Sequence, residues 1–165
     1  MSEDVFKYKI GEDVYQVDYD HSNGKFTQKQ HIENKSNMII CGLHTLYKKN
    51  MNNLINLKIY LDTDRELIKK WKIQRDVNER GYSLEKVLKQ IKSREKDYND
   101  YILKQKNNAD IIINFYEENE KLECNFIIQN ESIINKIIKP IINLNYEINY
   151  HENKLIIKLK IIFIN

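Results

Sequence analysis

Apolar positions fall in short blocks along the chain, and the blocks differ in period. Phe6, Tyr8 and Ile10 alternate with lysines, a period of two that predicts a strand. Val14 to Tyr19 predicts a second strand, closed by Asp20-His21-Ser22-Asn23-Gly24, a composition suited to a turn. Asn37 to Cys41, ended by Gly42, and Leu57 to Leu61 are continuous apolar runs of the kind found in strands covered on both faces by helices.

The period then changes to that of a helix. Thr63 and Glu66 have capping-box spacing, with the Thr63 hydroxyl accepting from a first-turn N–H and Glu66 reaching back. Leu67, Ile68 and Trp71 supply the buried face, and Gly81 is placed to stop the helix in a left-handed residue. Ser83 caps the next helix, where Leu84, Val87, Leu88 and Ile91 recur at i, i+3, i+4 and i+7 and Tyr98 and Ile102 extend the stripe. Two helices broken at Arg80-Gly81-Tyr82 form a hinged, charged projection. Ala109 to Ile113 and Leu122 to Ile128 predict strands, and Glu131 to Ile138 a short helix stopped before Pro140. Tyr146 to Tyr150 and Leu155 to Phe163 flank His151-Glu152-Asn153 as a hairpin.

Composition narrows the function classes more than it chooses among them. The 165 residues suffice for one compact domain, and 27 basic residues against 24 acidic leave a net charge of only +3. With no block of like charge, neither nucleic acid nor a membrane surface is implied as a partner. The N-terminus lacks a signal-peptide core, and the Ile-rich end is interrupted by Lys158 and Lys160, which points to a cytoplasmic protein. Cys41 and Cys124 form no CxxC pair and read as buried, reduced thiols. His21, His31, His44 and His151 show no zinc spacing, so no metal ligands are assigned.

One constellation carries chemistry. Arg75, Asp76 and Arg80 stand at a helix end beside a glycine hinge, where planar guanidiniums can donate bidentate hydrogen bonds to phosphate oxygens. By spacing alone, Asp76 and Arg80 at i, i+4 fit an ordinary surface ion pair better than a phosphate site.

RDVNERGYSLE, which contains these residues, resembles the lid of the phosphoribulokinase/uridine-kinase family. LKIYLDTD before it and NADIII after it resemble the flanking strands, YDHSNGKF at 19–26 the Tyr/Phe-Asp-His segment, and IICGLHTLY at 39–47 the Glu-Gly-Leu-His segment. The resemblance covers about residues 15 to 116, in five ordered pieces. It implies an α/β fold: part of a P-loop-kinase-like, mostly parallel sheet over 1–116, with a two-helix lid at about 64–103 and a β-rich, small α+β tail over 117–165. It also implies ATP-dependent phosphorylation of a hydroxyl on a nucleoside or sugar phosphate, with Mg²⁺ as cofactor of the intact family. Arg75 and Arg80 are then lid arginines facing nucleotide phosphates. Asp20 and His21 lie near the phosphate acceptor. His44 lies near the same cleft or serves simply as a packing residue after a strand.

Two departures qualify that expectation. Cys41 stands where the family has a carboxylate before Gly-Leu-His, and a thiol is a poor ligand for Mg²⁺. No G-x-x-x-x-G-K-[ST] occurs, so the backbone nest, phosphate lysine and magnesium hydroxyl of a P-loop are missing from this sequence, as is the catalytic aspartate expected after it. The sequence therefore predicts a kinase-family chain, cut or encoded without its N-terminal loop, that is inactive alone. A P-loop-bearing partner chain or a homodimer would cover its sheet. The alternative is a non-catalytic module that binds a small phosphorylated metabolite or a regulatory partner.

Overall fold

The computed structural model describes residues 2–20, 23–130, 132–133, 146–151 and 154–160. The chain divides into two compact units, Met1–Asn56 and Leu57–Asn165.

In the first unit, α1 (Ser2–Lys9) is followed by β1 (Val14–Gln16), β2 (Tyr19–Asp20), β3 (Lys25–Phe26), β4 (Gln30–Ile32) and α2 (Lys49–Asn52). β1 pairs with β4 and β2 with β3, both antiparallel. The strand expected over Phe6 to Ile10 is the helix α1. Its buried side chains are Val5 and Tyr8, three apart, so the helical period governs burial and the alternation with lysine does not. Tyr8 fixes this helix further: its hydroxyl accepts from Lys35 N at 2.7 Å, and its carbonyl accepts from Asn34 Nδ2 at 2.5 Å. The run Asn37 to Cys41 forms no strand, and Ile39 is 91% exposed. Without a neighbouring strand for its backbone groups, an apolar run has nothing to make it a strand.

The second unit is built on one sheet in the order β5-β6-β7-β9-β8, from β5 (Ile59–Thr63), β6 (Ile111–Glu118), β7 (Lys121–Ile128), β8 (Tyr146–His151) and β9 (Lys154–Lys160). β5 pairs parallel to β6, and the three remaining pairings are antiparallel. The sheet is therefore mixed, with parallel character confined to β5 and β6. Residue 116 lies within β6, and the strands after it continue the same sheet. The hairpin expected near residues 151–153 joins β8 to β9.

One face of this sheet buries Ile111, Cys124, Ile128, Leu155 and Ile157, which the register aligns across β6, β7 and β9. Tyr60 and its register partner Ile112 are buried on the other face. Burial, together with the hydrogen bond the Tyr60 hydroxyl donates to Tyr98, holds the Tyr60 phenol well above its usual pKa. At the start of the parallel pair Asp110 accepts from Lys58 N at 2.8 Å and Asn130 Nδ2 at 3.1 Å. Burial opposes ionisation there, and these bonds with the Lys58 ammonium still hold its pKa below the ordinary value.

Between β5 and β6 run α3 (Arg65–Gln74), a π-helical turn (Arg75–Glu79), α4 (Leu84–Ser93), α5 (Glu95–Asp97), a second π turn (Tyr98–Ile102) and a 3₁₀ turn (Leu103–Asn108). The cap of α3 is Asp64 and not Thr63, which ends β5. Asp64 Oδ1 accepts from Glu66 N at 2.9 Å and Leu67 N at 3.2 Å. A carboxylate satisfies two orphan donors and complements the helix dipole, which a threonine hydroxyl cannot match. Ser83 caps α4 as expected, accepting from Lys86 N at 3.3 Å. Gly81 is left-handed, at φ +68°. The region expected as helix over Glu131 to Ile138 lies almost wholly outside the described residues. Among the described residues no helix is long and apolar enough to cross a membrane.

Candidate functional site

The site is organised by one carboxylate in the second unit. Asp76 sits in the π turn with its side chain 1% exposed. Its Oδ1 accepts from Arg75 Nε at 2.9 Å and Arg80 Nη1 at 3.2 Å, and its Oδ2 binds the Lys72 ammonium. First Lys72 and then Arg75 hold the Asp76 pKa down to about 2, against the cost of burial. Arg75 and Arg80 are five residues apart, which on a regular α-helix turns them about 140° from each other. The π turn, closed by Arg80 N donating to Arg75 O at 3.3 Å, admits an extra residue and brings both onto the same oxygen. The two guanidiniums remain about half exposed, at 46% and 49%. Arg75 is held through Nε, so neither of its terminal amino groups has a partner among the described residues.

Such a cluster presents delocalised cations, fixed on their inner side, to whatever approaches from outside. That arrangement suits an oxyanion with several oxygens. The Arg75–Asp76–Arg80 spacing marked the place, but the spacing did not mark Lys72. The one available signal was its i, i+4 relation to Asp76.

A cleft of about 310 Å³ opens at the carboxyl end of β5, lined among others by Asp62, Asp64, Arg65, Tyr98 and Asn114. The Arg65 guanidinium stacks over the Tyr98 ring at 4.0 Å. Its carboxylates are already engaged, Asp62 by the Lys106 ammonium and Asp64 as the α3 cap.

The remaining expected residues lie in the first unit. Asp20, in β2, accepts from Asn23 Nδ2 at 2.5 Å and, through its carbonyl, from Gly24 N at 2.8 Å, so it closes the β2–β3 turn. His21 lies outside the described residues. His44 is exposed in a turn and meets the Tyr47 ring edge-on at 6.1 Å. Cys41 is exposed. Among the described residues no group of three or more His, Cys, Asp or Glu is arranged to hold a metal ion. Mg²⁺ takes one or two carboxylates beside substrate phosphates, and the two at the β5 cleft, Asp62 and Asp64, are engaged by Lys106 and by the start of α3.

The fold is that of a P-loop kinase. It matches the solved structure of a phosphoribulokinase from Rhodobacter spheroides with a TM-score of 0.72 over 94% of this chain and 63% of that one, at 19% identity. The chain belongs to the phosphoribulokinase/uridine kinase family, whose model matches residues 1–121. A phosphoribulokinase of Synechocystis sp. is 35% identical over 113 residues, 68% of this chain and 34% of that protein. The chloroplastic phosphoribulokinase of Chlamydomonas reinhardtii is 40% identical over 113 residues, 68% of this chain and 30% of the relative. A uridine kinase of Bacillus subtilis is 38% identical over 84 residues, half of this chain and 40% of that enzyme. The chain thus spans about a third of the length of these phosphoribulokinases.

Proposed function

We propose that this chain provides the phosphate-facing lid and acceptor side of an ATP-dependent kinase acting on a hydroxyl of a nucleoside or sugar phosphate, and that alone it turns over no ATP. The observation that carries the reading is the pair of half-exposed guanidiniums anchored on buried Asp76. In the transfer, the bond from the γ-phosphorus of ATP to its β–γ bridging oxygen breaks, ADP leaves, the γ-phosphorus bonds to the acceptor oxygen, and the acceptor's proton passes to a base supplied with the P-loop part. Charge spreads over the phosphoryl oxygens, and positioned guanidiniums stabilise it. Arg75 and Arg80 have that role here, and Asp20, His21 and His44 belong to the acceptor side. A P-loop is absent from this sequence, so the backbone cradle for the triphosphate has to come from elsewhere. A partner chain bearing it, or a second copy of this chain, would pair with β5. That strand is at one edge of its sheet and leaves Ile59 and Leu61 exposed, as is Leu57 just before it.

ATP hydrolysis and acceptor phosphorylation, assayed with the chain alone and with a P-loop-bearing partner, test this. Turnover is expected only in the mixture. Turnover by the isolated chain would defeat the claim that the loop is essential. Triphosphate binding that Arg75→Ala leaves unchanged would remove the lid role.

Cys41, exposed where the family has a carboxylate, favours a second reading, a regulatory module that binds a phosphorylated metabolite without turnover. Binding by the chain with no turnover in any mixture would establish it over the first.

A further inference from the structure

The cleft at the carboxyl end of β5 holds polar groups that the fold leaves unused. Arg65, the first residue of α3, lies over the Tyr98 ring at 4.0 Å and makes no hydrogen bond or ion pair among the described residues. Stacking occupies the face of a guanidinium and leaves its N–H donors, which lie in the plane, free. Asp64 caps α3 through Oδ1 alone, so its Oδ2 has no partner among the described residues. Among the same residues Asn99 makes no hydrogen bond, and Asn114 uses only its Nδ2, which donates to Asp62 O at 2.7 Å. All of these side chains line one space of about 310 Å³. That is the small end of the range for ligand pockets, about 300–1,000 Å³, and α/β sheets take ligands outside the carboxyl ends of their parallel strands.

We propose that this cleft binds a free α-amino acid, with its carboxylate on the Arg65 guanidinium and its ammonium on Asp64 Oδ2. The charges decide the class. Asp62 is matched by the Lys106 ammonium, which leaves one cation and one anion on adjacent residues. A polyphosphate would set several charges against Asp64 and meet a single cation. A neutral nucleoside would leave both charges unanswered. A zwitterion satisfies the two at once. The guanidinium fork matches a carboxylate bidentately, and the three donors of an ammonium can serve Asp64 Oδ2 and Asn114 Oδ1 together. Asn99 remains for a polar side chain. This site goes beyond the kinase reading and does not depend on it. Asp64 and Arg65 begin the helix that leads into the lid, so the amino acid would sit at the lid's root.

The test is an NMR titration of the full chain with L-glutamine, L-alanine and two derivatives that each lack one charge. N-acetyl-L-glutamine has no ammonium, and L-glutaminamide has no carboxylate. L-Glutamine is expected to shift the amides of Arg65, Asn99 and Asn114, and L-alanine to do so more weakly. Each derivative should bind about tenfold more weakly than L-glutamine, as the loss of a charge-assisted hydrogen bond implies. Arg65→Met should weaken L-glutamine about tenfold and leave L-glutaminamide unchanged. Asp64→Asn keeps a good helix cap, so the fold survives, and it should weaken L-glutamine while leaving N-acetyl-L-glutamine unchanged. Derivatives binding as tightly as L-glutamine would overturn the proposal, as would full affinity in Asp64→Asn. So would adenosine or inorganic phosphate shifting these amides where neither amino acid does, or no shift with any of these compounds.

Discussion

Gly81 offers a sharp test of the lid's backbone. The residue is left-handed at φ +68°, and a Cβ built on it meets nothing within 4 Å. Substitution by alanine therefore meets no steric obstacle, and the cost is purely conformational. Holding an L-residue left-handed costs about 1–2 kcal/mol. The stiffer unfolded chain returns about 0.4–1 kcal/mol of that. Gly81→Ala should thus destabilise the fold by about 1 kcal/mol, moving a urea midpoint down by roughly 0.5 M at an unchanged slope. Gly81→Asn should lose less, because asparagine tolerates this region. Urea unfolding followed by far-UV circular dichroism measures both. A loss of about 3 kcal/mol or more would mean crowding around residue 81, since core overpacking costs about 1–3 kcal/mol. No loss at all would mean that the turn after Arg80 is not held left-handed. Either result refutes the reasoning.

Three further outcomes are expected. The depressed Asp76 pKa contributes stability that is fully present above its unfolded value of 3.8 and is lost as pH falls towards about 2. Asp76→Asn should accordingly flatten the acid limb of a stability–pH curve over that window, and an unchanged limb would contradict the ion cluster. Ile128→Ala, at a site 2% exposed between Ile111 and Leu155, should cost about 2–5 kcal/mol in the same denaturation assay. Cys41 is exposed, whereas burial pushes the Cys124 thiol up, so a thiol reagent followed by mass spectrometry should modify Cys41 first and Cys124 only on unfolding.

The lid was the part of the molecule most legible in the sequence. Ser83 and Gly81 act through local backbone chemistry, and local chemistry survives in a one-dimensional pattern. β5, β7 and the β8–β9 hairpin were readable for a similar reason, because each carries its own apolar run or turn. The N-terminal helix was not. Phe6, Tyr8 and Ile10 satisfy alternation, yet Val5 and Tyr8 are the pair that is buried, and only tertiary contact chooses between the two periods. Asn37 to Cys41 has strand composition without a strand to pair with. The convergence of Lys72, Arg75 and Arg80 on Asp76 depends on a π turn that no residue in RDVNE announces. Arg75, Asp76 and Arg80 were therefore recognised as a group without Lys72, and the carboxylate that organises them was seen only as one half of an ion pair.

The mixed sheet has a consequence for the order in which the chain assembles. β6 and β7 are joined by two residues, Asn119 and Glu120, both at positive φ as a tight hairpin needs, so their first contacts close almost no loop. The parallel contact of Asp62 with Asn114 joins residues 52 apart and must enclose the whole lid. Loop-closure entropy makes that the slower event. The hairpin should form first and serve as the template, with β5 and the helices that follow it docking last. The segment bearing Arg75 and Arg80 would then be the last part of this unit to acquire its shape during synthesis, and the part most exposed to quality-control proteases when stability falls.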